Sequence, residues 1–206
     1  MVRRFLMTAA AVAVAVSVAA QSPQGWKVRV DHSQNASDPD NTPQLIFKPM
    51  GKGLHVKGGP AGTFWNGTTA SGNYTLKATF NLQEPSNHTN YYGLIFGGSN
   101  LDAASQSYSY FVIAQNGMFL VRHHQDAENV TDVVRRQTHA AVRQPGADGK
   151  SSNTLEVRVN GETISYVVNG TVVQSGPKGA LKTDGLVGVR VNHVLDVQFE
   201  GFEVGK

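Results

Sequence analysis

Three groups of residues in this chain have side chains able to do chemistry: Arg122-His123-His124, the run Arg190-Val191-Asn192-His193, and Asp196 with Glu200 in LDVQFEG. A retaining glycosidase needs two carboxylates about 5–5.5 Å apart, one as nucleophile and one as acid/base. Asp196 and Glu200 are the only approximation, and alternation on a strand equally predicts them as polar residues of an outer face. The histidines speak against a metal. His123 and His124 are neighbours on one strand and point to opposite faces, so His193 or His139 would have to complete any site from across a sheet. No metal is assigned on this pattern.

The same polar residues suit a sugar. Arg122, His124, Arg190, Asn192 and His193 offer hydrogen bonds to hydroxyls, and Tyr92, Tyr108 and Tyr110, with Tyr91 and Trp65 beside them, offer faces on which a ring can stack. Alternation lets only half of the tyrosines share one face. Calcium is the ion for which oxygen donors exist, in DPDN (38–41) and Asp31, although a turn explains that stretch equally well. Asn-x-Ser/Thr occurs at Asn35, Asn66, Asn73, Asn87, Asn129 and Asn169; turn chemistry outweighs glycosylation as its explanation, most plainly in the Asn-Gly-Thr pairs.

These residues must be carried by strands. From Trp26 onward apolar residues recur at every second position, punctuated by Gly, Asn, Asp and Pro, the spacing of an all-β sandwich or barrel. The expected strands are 26–30, 44–49, 53–58, 63–67, 73–83, 91–98, 107–115, 117–124, 154–159, 163–168, 171–174, 186–191 and 195–204. Residues 31–44 and 143–153 read as loops. In VNGETISYVVNGTVV, Asn160-Gly161 and Asn169-Gly170 each predict a tight type I′ turn, making a three-strand meander with Leu155, Val157, Val159, Ile164, Tyr166 and Val168 on one face.

Composition bounds the setting. Residues 1–20 have a basic start (Arg3, Arg4), an uncharged run and small residues before Gln21, the form of a cleavable export signal and too short for a bilayer span. About 186 residues then remain at 21–206, ample for one domain. Of the 18 Lys and Arg two lie in that leader, leaving 16 against 15 acidic residues and no basic cluster larger than Arg135-Arg136. A nucleic-acid footprint is therefore not expected, nor membrane insertion after cleavage. The chain has no cysteine, which excludes disulfides and thiol catalysis. A bacterial periplasmic or extracellular address follows as an expectation.

NYYGLIFGG, NTLEVRVNGETISYVVNGTVV and GLVGVRVNHVLDVQFEGFEV together resemble the concanavalin A-like lectin/glucanase superfamily, and within it the keto-disaccharide hydrolase (glycoside-hydrolase-16-like) domains. The resemblance spans most of 45–204 and implies a two-sheet antiparallel jelly roll with a sugar groove on one sheet. It departs from that family where Gly97 stands near an arginine position, where SYSYFV lacks a carboxylate, and where Arg190-x-Asn192 replaces Gln-x-His. LDVQFEG also lacks the middle aspartate of the glucanase Glu-x-Asp-x-x-Glu motif. Each departure removes a group that could transfer a proton. The expected function is therefore an exported, lectin-like saccharide-binding domain needing no cofactor. Hydrolysis or lysis of keto-glycosides, with His124 or His193 as proton carrier, is the alternative, and a structural envelope protein assembling through sheet edges is the second.

Overall fold

A computed structural model describes residues 22–31, 44–126 and 129–206. The expected leader and the DPDN loop lie outside the described residues. Fourteen strands account for the regular structure, and no helix occurs among the described residues. They are β1 (Lys27–Asp31), β2 (Ile46–Met50), β3 (Gly53–Lys57), β4 (Ala61–Ala70), β5 (Tyr74–Glu84), β6 (Tyr91–Ser99) and β7 (Ser107–Ala114). The rest are β8 (Met118–His124), β9 (Val130–Thr138), β10 (Ser151–Asn160), β11 (Thr163–Val168), β12 (Thr171–Pro177), β13 (Gly185–Val191) and β14 (Asp196–Gly205).

Two seven-stranded sheets result. Sheet A runs β1-β4-β13-β6-β7-β8-β9, and sheet B runs β12-β11-β10-β5-β14-β3-β2. Every pairing is antiparallel. Of the sandwich or barrel that the alternation allowed, the sandwich is observed, and it is the two-sheet jelly roll that the resemblance implied. Each expected strand is present, and β9 is an addition.

The double Asn-Gly stretch folds as the expected meander, with one correction to its turns. Val168 pairs with Thr171 across Asn169-Gly170, whose φ values of 51° and 82° are the two left-handed residues of a type I′ turn. At the first pair, Asn160 pairs with Thr163, so the central residues are Gly161 and Glu162. Only Gly161 has positive φ (57°), as in a type II′ turn, whose first central position takes glycine. Asn169 also explains its own sequon. Its amide oxygen accepts from Thr154 N (2.9 Å), and its amide nitrogen donates to Ala141 O and to Asn153 Oδ1 (both 2.8 Å).

Strand alternation makes two apolar layers. Between the sheets lies the main core, where Phe47, Phe64, Phe80 and Phe199 are essentially inaccessible. The outer face of sheet A carries a second cluster: Trp65, Ile95, Tyr108, Tyr110, Val112 and Leu120, joined by Leu101 from the turn after β6. Arg29 Nη1 ties that turn down through Ala103 O (3.1 Å). Gly188 belongs to the same face, paired with Trp65 and Ile95; a Cβ there would lie 2.2 Å from Phe64 O, so no other residue fits.

Tyr92 requires a correction. It was expected to line a sugar groove, but it points between the sheets, fully buried and 5.8 Å from the Phe80 ring. The reason is parity: adjacent tyrosines on one strand take opposite faces, and Tyr91 takes the outer one.

Candidate functional site

The outer face of sheet A holds a depression of about 240 Å³. Its walls come from Tyr91 on β6, Tyr110 and Val112 on β7, Leu120 and Arg122 on β8, and Arg136 on β9, closed at one end by residues 88–90 and by Asn192 and His193. None of the described residues lining it is acidic. Of the eight residues expected to bind ligand, Tyr110, Arg122, Asn192 and His193 are brought together here.

Arg136 reaches the depression because β9 is irregular. Phe119 pairs with Gln137 and Val121 with Val134, so Arg135 and Arg136 together oppose the single residue Leu120. A bulge of this kind re-aims side chains, and the Arg136 guanidinium arrives 5.5 Å from the centroid of the Tyr91 ring. A second shift, between Val121 and Arg122, pairs Arg122 with Asp132. The Arg122 Nε then donates to Asp132 Oδ1 at 2.7 Å. Burial opposes the Arg122 charge, but Asp132 and Tyr110 outweigh it and its pKa is raised. Arg136 has no ion pair among the described residues.

The tyrosines form the floor rather than stacking platforms. Tyr91 and Tyr110 are each only 7% exposed, and the Tyr91 hydroxyl is covered without a hydrogen-bond partner. Burial raises the Tyr91 phenol's pKa, with Arg136 and Arg122 pulling the other way. What the depression presents is therefore mainly guanidinium, imidazole and amide.

The closed end is rigid. Ser86 N donates to Gln115 Oε1 (3.2 Å), Gln115 Nε2 donates to Ser86 O (2.7 Å), and Ser86 Oγ donates to His88 O (2.6 Å). This lashing sets His88 Nε2 at 3.2 Å from His193 Nε2, so one ring donates to the other. Asn192 N donates to Tyr91 O at 2.8 Å, continuing the sheet ladder. The chain then reverses through Val194 at φ 58°, a left-handed conformation that a β-branched residue adopts only under strain.

Three further residues of the expected set lie beside the depression in a buried network. Arg190 Nη1 donates to Asp31 Oδ2 (2.9 Å), Tyr108 Oη (2.9 Å) and Thr63 Oγ1 (3.2 Å), and its Cζ lies 5.3 Å from the Tyr110 ring centroid. Burial opposes its charge, but Tyr108, Asp31 and Tyr110 hold its pKa above the usual value. The His124 ring stacks on Tyr108 at 4.7 Å with an interplanar angle of 8°. Burial first, then Arg190, push His124 down to about 4. These groups position the floor; Arg190 is only 9% exposed and bonded to Asp31, Tyr108 and Thr63, and His124 is only 8% exposed with its Nδ1 at 3.4 Å from Asp126 O. Asp31, an expected oxygen donor for calcium, is engaged by Arg190 and by Arg29 Nε (3.3 Å).

The remaining candidates are elsewhere. His123 points opposite to His124, as strand geometry requires, and meets Ser109 Oγ at 3.0 Å. His139 Nδ1 accepts from Ala141 N (3.0 Å) in a turn. Asp196 sits on the outer face of sheet B, 2.6 Å from His55 Nε2 and 2.7 Å from Lys57 Nζ. Burial opposes its charge, but Lys57 and His55 prevail and its pKa is lowered. Asn81 Nδ2 donates to Glu200 Oε1 on that same face (3.5 Å). Gly97, near the family's arginine position, has φ 60°, and a Cβ there would lie 2.0 Å from Lys182 O. No group of three or more His, Asp or Glu able to hold a metal occurs among the described residues.

Reasoning from the sequence missed Arg136, Asp132 and His88. The signal for the first two was the β-branched content of VTDVVRRQT; for His88 there was none.

No protein-family model and no curated protein sequence matches the chain. Solved structures do. The chain is similar to the carbohydrate-binding module CBM66 from Bacillus subtilis, with a TM-score of 0.64 at 9% identity, covering 88% of this chain and 96% of that one. A Bacillus subtilis protein with a galectin-like fold gives a TM-score of 0.62 at 11% identity, covering 87% and 88%. A Bacteroides ovatus GH16 protein of a mixed-linkage glucan locus, solved with a G4G4G3G product, gives 0.54 at 6% identity, covering 86% and 93%. At these identities the likeness is one of fold: a two-sheet antiparallel jelly roll.

Proposed function

We propose that this protein is a lectin-like saccharide-binding module that holds a sugar residue in the depression on the outer face of sheet A. The observation that carries this reading is the convergence of Arg122, Arg136, Asn192 and His193 on one small, firm-floored hollow. Fixed donors over an apolar floor are what a polyhydroxylated ring requires. The volume of about 240 Å³ lies below the roughly 300–1,000 Å³ of drug-sized clefts, which favours one small ring over a long polymer. The fold likeness to a carbohydrate-binding module adds support. The leader-like residues 1–20 support an exported protein.

The purified protein on a broad glycan array, with each sample also analysed for cleavage products, tests the reading. Retention of a saccharide class without turnover is expected, with Asn192→Ala weakening it about tenfold, the loss of one or two hydrogen bonds. Turnover of a keto-glycoside would instead establish the hydrolase or lyase reading. No retention of any glycan would contradict saccharide binding altogether.

A further inference from the structure

The charge of the depression deepens that reading, and the inference rests on it. Among the described residues two arginines line the hollow and no carboxylate does. Asp132 lies outside the lining and answers one of them, Arg122. The other, Arg136, is answered by Tyr91, a neutral group, and has no ion pair among the described residues. The other titratable residues described in the lining are His88, His193, Tyr91 and Tyr110; an imidazole carries no negative charge, and burial keeps the Tyr91 phenol in its neutral form. A neutral sugar would leave Arg136 without a counter-charge while displacing its water, which costs free energy. An anionic group on the sugar reverses that balance.

From these residues we infer that the ligand is an acidic saccharide, a sugar residue bearing a carboxylate, with that carboxylate set against Arg136. The planar guanidinium fork matches a carboxylate in two parallel hydrogen bonds. Arg122, held by Asp132, is left to fix a hydroxyl, and Asn192 offers both a donor and an acceptor to the same ring. The bulge in β9 is what specialises the site: without the extra residue opposite Leu120, the Arg135-Arg136 pair would follow the regular alternation of the edge strand.

The test is a calorimetric comparison of oligouronides as free acids, the same oligomers as methyl esters, and sulfated neutral oligosaccharides. The methyl ester keeps every ring hydroxyl and removes only the charge. Binding of the free acid about tenfold or more tighter than the ester is expected, with affinity falling as salt rises. Arg136→Gln should abolish the preference, and Arg135→Gln, outside the depression, should retain it. Equal binding of acid and ester would overturn the inference while leaving saccharide binding intact. Preference for the sulfated sugars would overturn the carboxylate assignment. Binding of none of these, together with an empty glycan array, would overturn the saccharide reading itself.

Discussion

Arg136 and Tyr91 meet across two intervening strands: the guanidinium of the edge strand β9 stands 5.5 Å from the ring centroid of a residue on β6. Three strand spacings amount to about 14 Å of backbone separation, so the two side chains extend toward each other over β7 and β8. Small Ala114, paired with Tyr91, leaves room for this crossing. The contact closes one wall of the depression and supplies its uncompensated charge.

Because Arg136 is exposed on an edge strand, its contribution to folding is small. Arg136→Ala should change stability by no more than about 1 kcal/mol, the value of an exposed cation–π contact, while weakening acidic-sugar binding about tenfold. Thermal unfolding and calorimetry on the same sample check both halves. A large loss of stability with unchanged affinity would mean that the arginine serves the fold.

The Arg190 network should behave in the opposite way. Removing its counter-charge with Asp31→Ala leaves a buried guanidinium with one anionic partner fewer, at a cost of about 3–5 kcal/mol. Tyr108→Phe removes one hydrogen bond to a charged group and should cost about 1.5–3 kcal/mol. Denaturant unfolding measures both, and the double variant should cost less than the sum, since the two share one arginine.

His124 gives the stability a definite pH slope. Unfolded, it takes a proton near 6.5; in the native state burial and Arg190 delay this to about 4. Between those values the unfolded chain binds more protons, so stability rises with pH through this window and falls on acidification. The contribution over the whole window is on the order of 3 kcal/mol. His124→Gln should flatten the profile between pH 6.5 and about 4 relative to the unmodified protein; an unchanged profile would show that His124 is protonated normally in the fold.

Val194 stores strain at the turn that carries His193. Its φ of 58° suits asparagine far better than a β-branched residue. Val194→Asn should therefore raise stability by about 1 kcal/mol, read as a higher melting temperature. A lower melting temperature would show that Val194 packing outweighs the backbone cost.

How far the sequence could be read depended on whether a feature was local. Alternation revealed the strands of both sheets, and Asn169-Gly170 revealed its turn, because period and turn chemistry are properties of neighbours in the chain. Strand β9 escaped because its doublets Val133-Val134 and Arg135-Arg136 break the alternation, and the bulges that accommodate them arise only through pairing with β8. The exchange of Tyr92 for Tyr91 was a matter of parity, which the sequence leaves open when both faces of a strand are apolar. Arg122 and Arg190 looked alike as sequence. They diverge because Asp31, 159 positions away, meets Arg190, whereas Arg122 meets Asp132 at the rim of the depression.

Titration of the isotope-labelled protein with an acidic oligosaccharide, followed by nuclear magnetic resonance, locates the ligand on the molecule. Saturable shifts at Tyr91, Tyr110, Arg122, Arg136, Asn192 and His193, with Asn81, Gln198 and Glu200 on sheet B unmoved, are the predicted result. Shifts confined to sheet B, or none at saturating sugar, would contradict a binding site on the outer face of sheet A.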